Sequence, residues 1–155
     1  MKRLLITLIC LLVLAGCTST SQDVEGARQA LTDFFDHLNT GKYEEADAIY
    51  GGTYEQLVEF APSLDVNDHA ALWENGCEVS GLQCLTVRSV MYLEQTGDIL
   101  VFNVEFNNAD GALFVRGPCC GADETEMPTV SQFSFRVQET PEGRYLVLDL
   151  PVYVP

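Results

Sequence analysis

Four cysteines between residues 77 and 120 are the residues best suited to do chemistry. Cys119 and Cys120 are adjacent in the stretch "GPCCGADE", and Cys77 and Cys84 precede them. Cysteine thiols bind metal ions, exchange electrons or form cross-links. Structural zinc favours cysteines separated by two to four residues, and redox sites carry C-x-x-C. Here six residues separate the first pair and none the second. This spacing favours cross-links over a zinc or redox site.

The start of the chain indicates export from the cytosol. It opens with the basic residues of "MKR" and continues as an apolar run over residues 4–14. A membrane-spanning helix needs roughly 20 apolar residues, so this run is too short to cross a bilayer. A charged start, a short apolar stretch and then small residues are typical of a targeting segment that is removed.

The ending of this segment, "LAGC", is more specific. It resembles the lipobox of bacterial lipoproteins, whose cysteine is acylated and becomes the new N-terminus. The resemblance implies a signal peptide over residues 1–16, lipid attachment at Cys17, and a tether over residues 17–22. Acyl chains such as palmitate would anchor the protein to a membrane on the extracytoplasmic side of the cell envelope. The alternative is an ordinary secretory signal in which Cys17 is incidental.

Export would place the four remaining cysteines in an oxidising compartment, where an even number predicts two disulfides. A bridge between Cys119 and Cys120 is disfavoured, because neighbouring Cα atoms are about 3.8 Å apart and bridges prefer about 4.4–6.8 Å. We therefore predict that Cys77 and Cys84 each pair with one of Cys119 and Cys120. Which pairs with which stays open.

The charge of the chain restricts its partners. Without the predicted signal, six basic residues stand against 23 acidic ones, a formal charge of −17. Nucleic acid is not an expected partner, because such binding relies on basic residues. The stretch "FNNADG" superficially resembles a calcium loop, but Phe106 and Gly117 would occupy ligand positions that require oxygen donors. We expect no metal and no cofactor.

The first half of the predicted domain, residues 23–155, has helical periodicity. A helix is expected over residues 23–39, and its apolar face should include Leu31, Phe34 and Phe35. A second helix is expected over residues 43–50. A third should begin at Thr53, which forms a capping box with Gln56. A fourth should follow Asn67 or Asp68 and end at Asn75-Gly76.

From Cys84 onward the apolar period changes to two, which predicts strands. In the first strand the residues expected to face inward are Leu85, Val87, Ser89, Met91 and Leu93. In the second strand they are Leu100, Phe102, Val104 and Phe106. Two further strands should contribute Phe133, Phe135 and Val137, then Leu146, Leu148 and Leu150. A fifth strand over residues 112–116 is an option. The sequence therefore predicts an α+β fold, with helices packed on one face of an antiparallel sheet of four to five strands.

This order of elements carries a second resemblance. The stretch "LNTGKYEEA" at the end of the first helix, followed by short helices and a meander, is similar to the nuclear transport factor 2-like superfamily; a cystatin-like fold is the nearest competitor. The resemblance implies a curved, cone-shaped sheet that encloses a cavity, and often a homodimer through the outer sheet face. The predicted alternation places four apolar residues on that outer face: Val90, Tyr92, Tyr145 and Val147.

The expected function is binding rather than catalysis. No carboxylate falls among the predicted inward strand positions, and neither His37 nor His69 has a serine or cysteine partner by sequence. Five aromatic residues are candidates for lining a pocket: Tyr43, Tyr50, Tyr54, Phe60 and Trp73. We predict a non-catalytic, lipid-anchored domain that binds a small apolar ligand or a protein partner. The alternatives are a pocket enzyme of the isomerase or hydrolase type, or a homodimeric envelope component.

Overall fold

The computed structural model describes residues 19–155, which form an α+β domain. Four helices come first: α1 (Ser19–Asn39), α2 (Tyr43–Asp47), α3 (Glu55–Phe60) and α4 (His69–Glu78). Four strands follow: β1 (Thr86–Thr96), β2 (Ile99–Asn107), β3 (Phe133–Glu139) and β4 (Tyr145–Val147). The predicted signal peptide and lipidation site, residues 1–17, lie outside the described residues.

The strands form an antiparallel meander in the order β1-β2-β3-β4. Helix α1 lies across the sheet and contacts all four strands. The general prediction of helices packed against an antiparallel sheet is confirmed. Residues 112–116 do not form a fifth strand, because Leu113 and Arg116 each make only an isolated bridge, to Asn107 and Val130.

The core lies between α1 and the inner face of the sheet. Leu31, Phe34 and Phe35 on α1 are fully buried, as their helical spacing predicted. The Phe35 ring packs edge-to-face against Phe106 and Phe135, at centroid distances of 4.7 and 5.0 Å. Such aromatic pairs add about 0.5–1.5 kcal/mol beyond the area they bury. Strand β2 alternates strictly between its two faces, so its predicted inward face is confirmed.

Strand β1 does not follow its predicted alternation. Its pairing with β2 shifts register between Val87 and Ser89 and again between Tyr92 and Glu94. The bulge after Val87 inserts one extra residue and exchanges the two faces of the strand up to Tyr92, and the second bulge, at Leu93, exchanges them back. Met91 and Leu93, predicted inward, are therefore 51% and 44% exposed.

The prediction that Val90, Tyr92, Tyr145 and Val147 lie on the outer sheet face was wrong. In β1 the bulge after Val87 turns Val90 and Tyr92 inward. In β4 the inward positions are Tyr145 and Val147, one residue away from the predicted alternation. Val147 is fully buried, and Val90, Tyr92 and Tyr145 pack against the core. In the described part of β1, the apolar side chains on the outer face are Met91 and Leu93.

The observed helix boundaries agree only in part with the predicted ones. Helix α1 begins at Ser19, so it includes part of the predicted tether. Helix α3 begins at Glu55 without a side-chain cap, so the predicted capping box of Thr53 is absent. Asp68 does cap α4, accepting a hydrogen bond from the Ala71 backbone N–H at 3.1 Å.

Helix α4 was predicted to end at Asn75-Gly76 but continues to Glu78, and Gly76 is buried within it. A Cβ atom at Gly76 would lie 2.8 Å from a Leu82 methyl group and 2.9 Å from a Leu57 methyl group. The glycine at this position therefore permits close packing and does not end the helix.

Candidate functional site

An apolar groove of about 420 Å³ lies between the loop that joins β2 to β3 and the C-terminal segment. Its walls are mainly carbon and sulfur: Phe114, Val115, Pro118, Cys119, Met127, Tyr153 and Val154, with Arg116, Gly117 and Pro155 completing them. Small-molecule sites in proteins typically occupy about 300–1,000 Å³ and are lined mostly by apolar side chains. The groove has the size and lining of such a site.

Backbone hydrogen bonds hold the loop wall of the groove in place. The Phe114 N–H donates to the Phe106 carbonyl of β2 at 2.8 Å. Arg116 and Val130 exchange two backbone hydrogen bonds, at 2.8 and 2.9 Å. The Phe114 ring then packs against Phe133 of β3, with centroids 5.7 Å apart. This wall is therefore an extension of the sheet.

The opposite wall is fixed to the end of α4 and to α3. The Gln83 N–H donates to the Val152 carbonyl at 2.7 Å, and the Val154 N–H donates to the Gly81 carbonyl at 3.0 Å. Gly81 has φ of +88°, which a side chain would disfavour, and a Cβ there would lie 2.2 Å from the Val154 oxygen. The Tyr153 ring stacks on Phe60 of α3 at 5.0 Å. Both walls are therefore preformed.

One cation faces this otherwise apolar site. The Arg116 guanidinium lies over the Phe133 ring, 5.8 Å from its centroid, which is a cation–π arrangement. Its Nε atom is buried and has no hydrogen-bond partner among the described residues. The groove could therefore hold an apolar body and orient a polar acceptor towards Arg116.

The cysteines pair differently from the prediction. Cys77 is bridged to Cys84, with Cα atoms 5.5 Å apart, so the predicted bridges to Cys119 and Cys120 were wrong. The end of α4 and the segment before β1 bring the first two cysteines together. Cys119 and Cys120 are free, and their Sγ atoms are 2.7 Å apart. A hydrogen bond with Cys120 raises the pKa of the Cys119 thiol.

The five candidate pocket aromatics do not converge on one cavity in the structure. Tyr50, Tyr54 and Trp73 pack on one another, and Trp73 is fully buried. Tyr43 reaches Glu78, with its hydroxyl donating to a carboxylate oxygen at 3.4 Å. Phe60 supports the apolar groove indirectly, through its stacking on Tyr153.

Tyr50 also lines a second, more open and more polar groove of about 750 Å³. In this polar groove the Arg136 guanidinium donates to Asp149 oxygens at 2.5 and 3.1 Å, and the Arg136 backbone N–H donates to the same carboxylate at 2.7 Å. Each charge is neutralised by the other, so neither is available to attract a charged ligand. The polar groove is therefore the weaker candidate for a binding site.

A cluster that sequence reasoning missed brings together Asp47, Tyr54 and His69. The Tyr54 hydroxyl donates to Asp47, and His69 Nδ1 lies 3.2 Å from an Asp47 carboxylate oxygen. The Tyr54 and His69 rings are stacked with centroids 3.7 Å apart. Burial and the hydrogen bond to Asp47 raise the pKa of the Tyr54 phenol well above its ordinary value.

Acid–base chemistry needs groups that a substrate can reach. The Asp47–Tyr54–His69 cluster lines neither groove. Its three members come from α2, the segment before α3, and the first residue of α4. Tyr54 and His69 lie 7 and 22 positions after Asp47 in the sequence. No sequence motif with this spacing indicates that the three residues meet. The contacts of Asp47 with Tyr54 and His69 join these three segments.

No protein-family model matches the chain, and no curated protein matches it in sequence. Within residues 19–155, no helix has both the length and the hydropathy needed to cross a membrane. In the same residues, no group of three or more histidine, cysteine, aspartate or glutamate side chains converges as metal ligands would.

Proposed function

We propose that this chain is a lipid-anchored, non-catalytic domain of the extracytoplasmic cell envelope that binds a small apolar ligand in the apolar groove. The observation that carries the proposal is the groove itself, about 420 Å³ in volume and lined by side chains such as Phe114, Met127 and Tyr153. An apolar molecule that enters it gains about 25 cal/mol for each Å² of surface removed from water.

The rigidity of the groove supports binding. Its walls are held by backbone hydrogen bonds from Phe114, Arg116 and Val154 and by the ring stacking of Tyr153. A preformed site avoids the cost of ordering, about 0.5–1.5 kcal/mol for each flexible side chain that binding would immobilise. The proposed ligand therefore meets a surface that is already in its binding conformation.

The lipid anchor and the location rest on "LAGC" and Cys17. The disulfide between Cys77 and Cys84 supports them independently, because such bridges persist in oxidising compartments and are rare in the cytosol. The nuclear transport factor 2-like fold is part of the same proposal. It is supported by the order of four helices followed by a meander.

A fluorescence titration with N-phenyl-1-naphthylamine tests the binding proposal. The dye is uncharged, so the strongly acidic protein does not repel it. We expect saturable enhancement of fluorescence, and Met127→Glu should weaken binding at least about tenfold, or about 1.4 kcal/mol, because the new carboxylate faces the ligand.

Met91→Glu is the matched control, since Met91 is 51% exposed on the outer face of β1 and away from the groove. It should bind the dye as the wild-type protein does. Equal binding by wild-type and Met127→Glu proteins would contradict the proposal, as would a loss caused by Met91→Glu.

A further inference from the structure

Arg116 gives the apolar groove a positive charge. Among the residues of the described chain that line the groove, it is the only one with a charged side chain. Its guanidinium lies over the Phe133 ring, which also packs against the Phe114 ring of the groove. The hydrogen bond with Cys120 raises the pKa of the Cys119 thiol, and the Arg116 charge opposes that rise. Since Cys119 also lines the groove, the charge acts at this site.

The guanidinium of Arg116 has no counter-charge within residues 19–155. The ion pairs in this part of the chain use Arg28, His69 and Arg136 as their cations. The carboxylate at Pro155, in the lining of the same groove, does not pair with Arg116. The Nε atom of Arg116 is buried without a hydrogen-bond partner in the described chain. A buried donor that lacks a partner is unfavourable, so an acceptor supplied by a ligand would stabilise this arrangement.

The rest of the groove offers little to a strongly polar ligand. Its lining is otherwise aliphatic, aromatic or sulfur-containing. The backbone N–H groups of Phe114, Arg116 and Val154 already donate to carbonyls of the chain. A peptide or a sugar carries many donors and acceptors, most of which would lose their water partners in the groove without gaining others. The matching ligand is therefore apolar along most of its length and carries one acceptor group for Arg116.

The charge of the protein selects the kind of acceptor. A guanidinium group binds either a carboxylate or a phosphate with two parallel hydrogen bonds. A phosphate monoester carries about 1.5 to 2 negative charges at pH 7. The chain has a formal net charge of −15, so its overall field repels anions, and one guanidinium does not neutralise a phosphate. A carboxylate carries a single charge, which Arg116 balances.

We propose that the ligand of the apolar groove is a fatty acid, with its acyl chain against the apolar walls and its carboxylate accepting hydrogen bonds from Arg116. This inference rests on the proposed function and deepens it, because it names the chemical class of the ligand. Each methylene group that leaves water raises the binding constant roughly fourfold. The acyl chain thus supplies most of the affinity, and Arg116 supplies the preference for a carboxylate head group.

Displacement of N-phenyl-1-naphthylamine by dodecanoate and by 1-dodecanol, compared at pH 8, tests this inference. The two competitors have the same number of carbon atoms, and only dodecanoate is charged. The full chain carries Cys17→Ala, so that no acyl chain of its own competes for the groove. We expect dodecanoate to bind about tenfold more tightly, because hydrogen bonds between charged groups are stronger than those to a hydroxyl. The acidity of the protein alone would favour the alcohol.

Arg116→Met removes the charge and keeps an unbranched side chain, so the two competitors should bind equally or the alcohol should bind more tightly. The ratio of the two affinities is measured within each protein, so a change in dye affinity does not affect it. Arg144→Met is the matched control. Arg144 is exposed in the turn between β3 and β4, and its loss changes the net charge by the same amount. This variant should keep the wild-type ratio.

The possible results separate this inference from the proposed function. If the dye binds and wild-type protein shows no preference for dodecanoate, the fatty acid is the wrong ligand class while the apolar site stands. An undiminished preference in Arg116→Met, or a lost preference in Arg144→Met, would also overturn the role of Arg116. If the dye does not bind wild-type protein at all, the proposed function fails, and this inference fails with it.

Discussion

Cys77, in the last turn of α4, is joined by a disulfide to Cys84, two residues before β1, with their Cα atoms 5.5 Å apart. The bridge closes a short loop that also holds Gly81 and Leu82, and these two residues support the C-terminal wall of the apolar groove. The disulfide thus fixes the end of the helical layer to the start of the sheet, next to the candidate site.

Replacing Cys77 and Cys84 by serine should lower the free energy of unfolding by about 2.5 kcal/mol, because the open loop gains conformational entropy in the unfolded chain. Urea unfolding followed by circular dichroism measures the change. The matched pair Cys119→Ser and Cys120→Ser lies at the surface and should change stability by less than about 0.5 kcal/mol. Equal effects of the two double variants would contradict the disulfide assignment.

Gly76→Ala should destabilise the protein by about 1–3 kcal/mol, although alanine is the better helix former. The added methyl group would lie 2.8 and 2.9 Å from methyl groups of Leu82 and Leu57, both of which are buried. Thermal unfolding measures the loss. Gly117→Ala is the control, since nothing lies within 4 Å of the Cβ position there. A neutral or stabilising Gly76→Ala would show that the packing between α4 and Leu82 is looser than described.

The protein should lose stability as the pH rises above 10, partly because of Tyr50. Burial, with a smaller contribution from the charge of Asp149, raises the pKa of the Tyr50 phenol to about 12. A raised pKa means that the folded state keeps a proton that the unfolded state releases from pH 10 upward. The stabilisation is therefore complete below pH 10 and is lost between about pH 10 and about 12.

Tyr50→Phe isolates this effect. It removes the hydrogen bond from the Tyr50 hydroxyl to the Thr53 carbonyl, 3.0 Å long, and should cost about 1 kcal/mol at pH 8. Urea midpoints at pH 8 and pH 10.5 should then differ less in the variant than in the wild-type protein. Tyr153→Phe leaves Tyr50 in place and should keep the wild-type dependence on pH. A steeper loss in Tyr50→Phe would contradict this account.

Cys17 should carry the membrane anchor. Expressed in a bacterium that processes lipoproteins, the wild-type chain should sediment with membranes and have the mass of residues 17–155 plus a diacylglyceryl group and any further acyl chain. Cys17→Ala should lose the lipid mass and the membrane association, because the thioether has no sulfur to form on. An unprocessed wild-type chain with an unmodified Cys17 would contradict the proposed location.

The regular parts of the fold were predictable because their local and tertiary signals agree. The helical spacing of Leu31, Phe34 and Phe35 and the strict alternation of β2 each mark one buried face. In β1 the bulge between Val87 and Ser89 exchanges the faces of the residues that follow it, and a period of two cannot reveal where an extra residue is inserted. That is why Met91 and Leu93 were placed on the wrong side.

The candidate site was not predictable, because irregular segments form it. Its walls are the loop between β2 and β3 and the segment after β4, which have no apolar period. The pairing of Cys77 with Cys84 depends on a turn at residues 79–82, where Gly81 has φ of +88°. The Asp47–Tyr54–His69 cluster depends on the packing of separate short helices. Only tertiary structure brings these residues together.

Methionine methyl groups give the most direct test of ligand binding in the apolar groove. The chain has three methionines, and Met127 lies in the groove whereas Met91 lies on the outer face of β1. In protein labelled with carbon-13 at these methyl groups, titration with N-phenyl-1-naphthylamine should shift the NMR signal of Met127 and leave that of Met91 in place. An unmoved Met127 signal at saturating dye, or a larger shift at Met91, would contradict binding at this site.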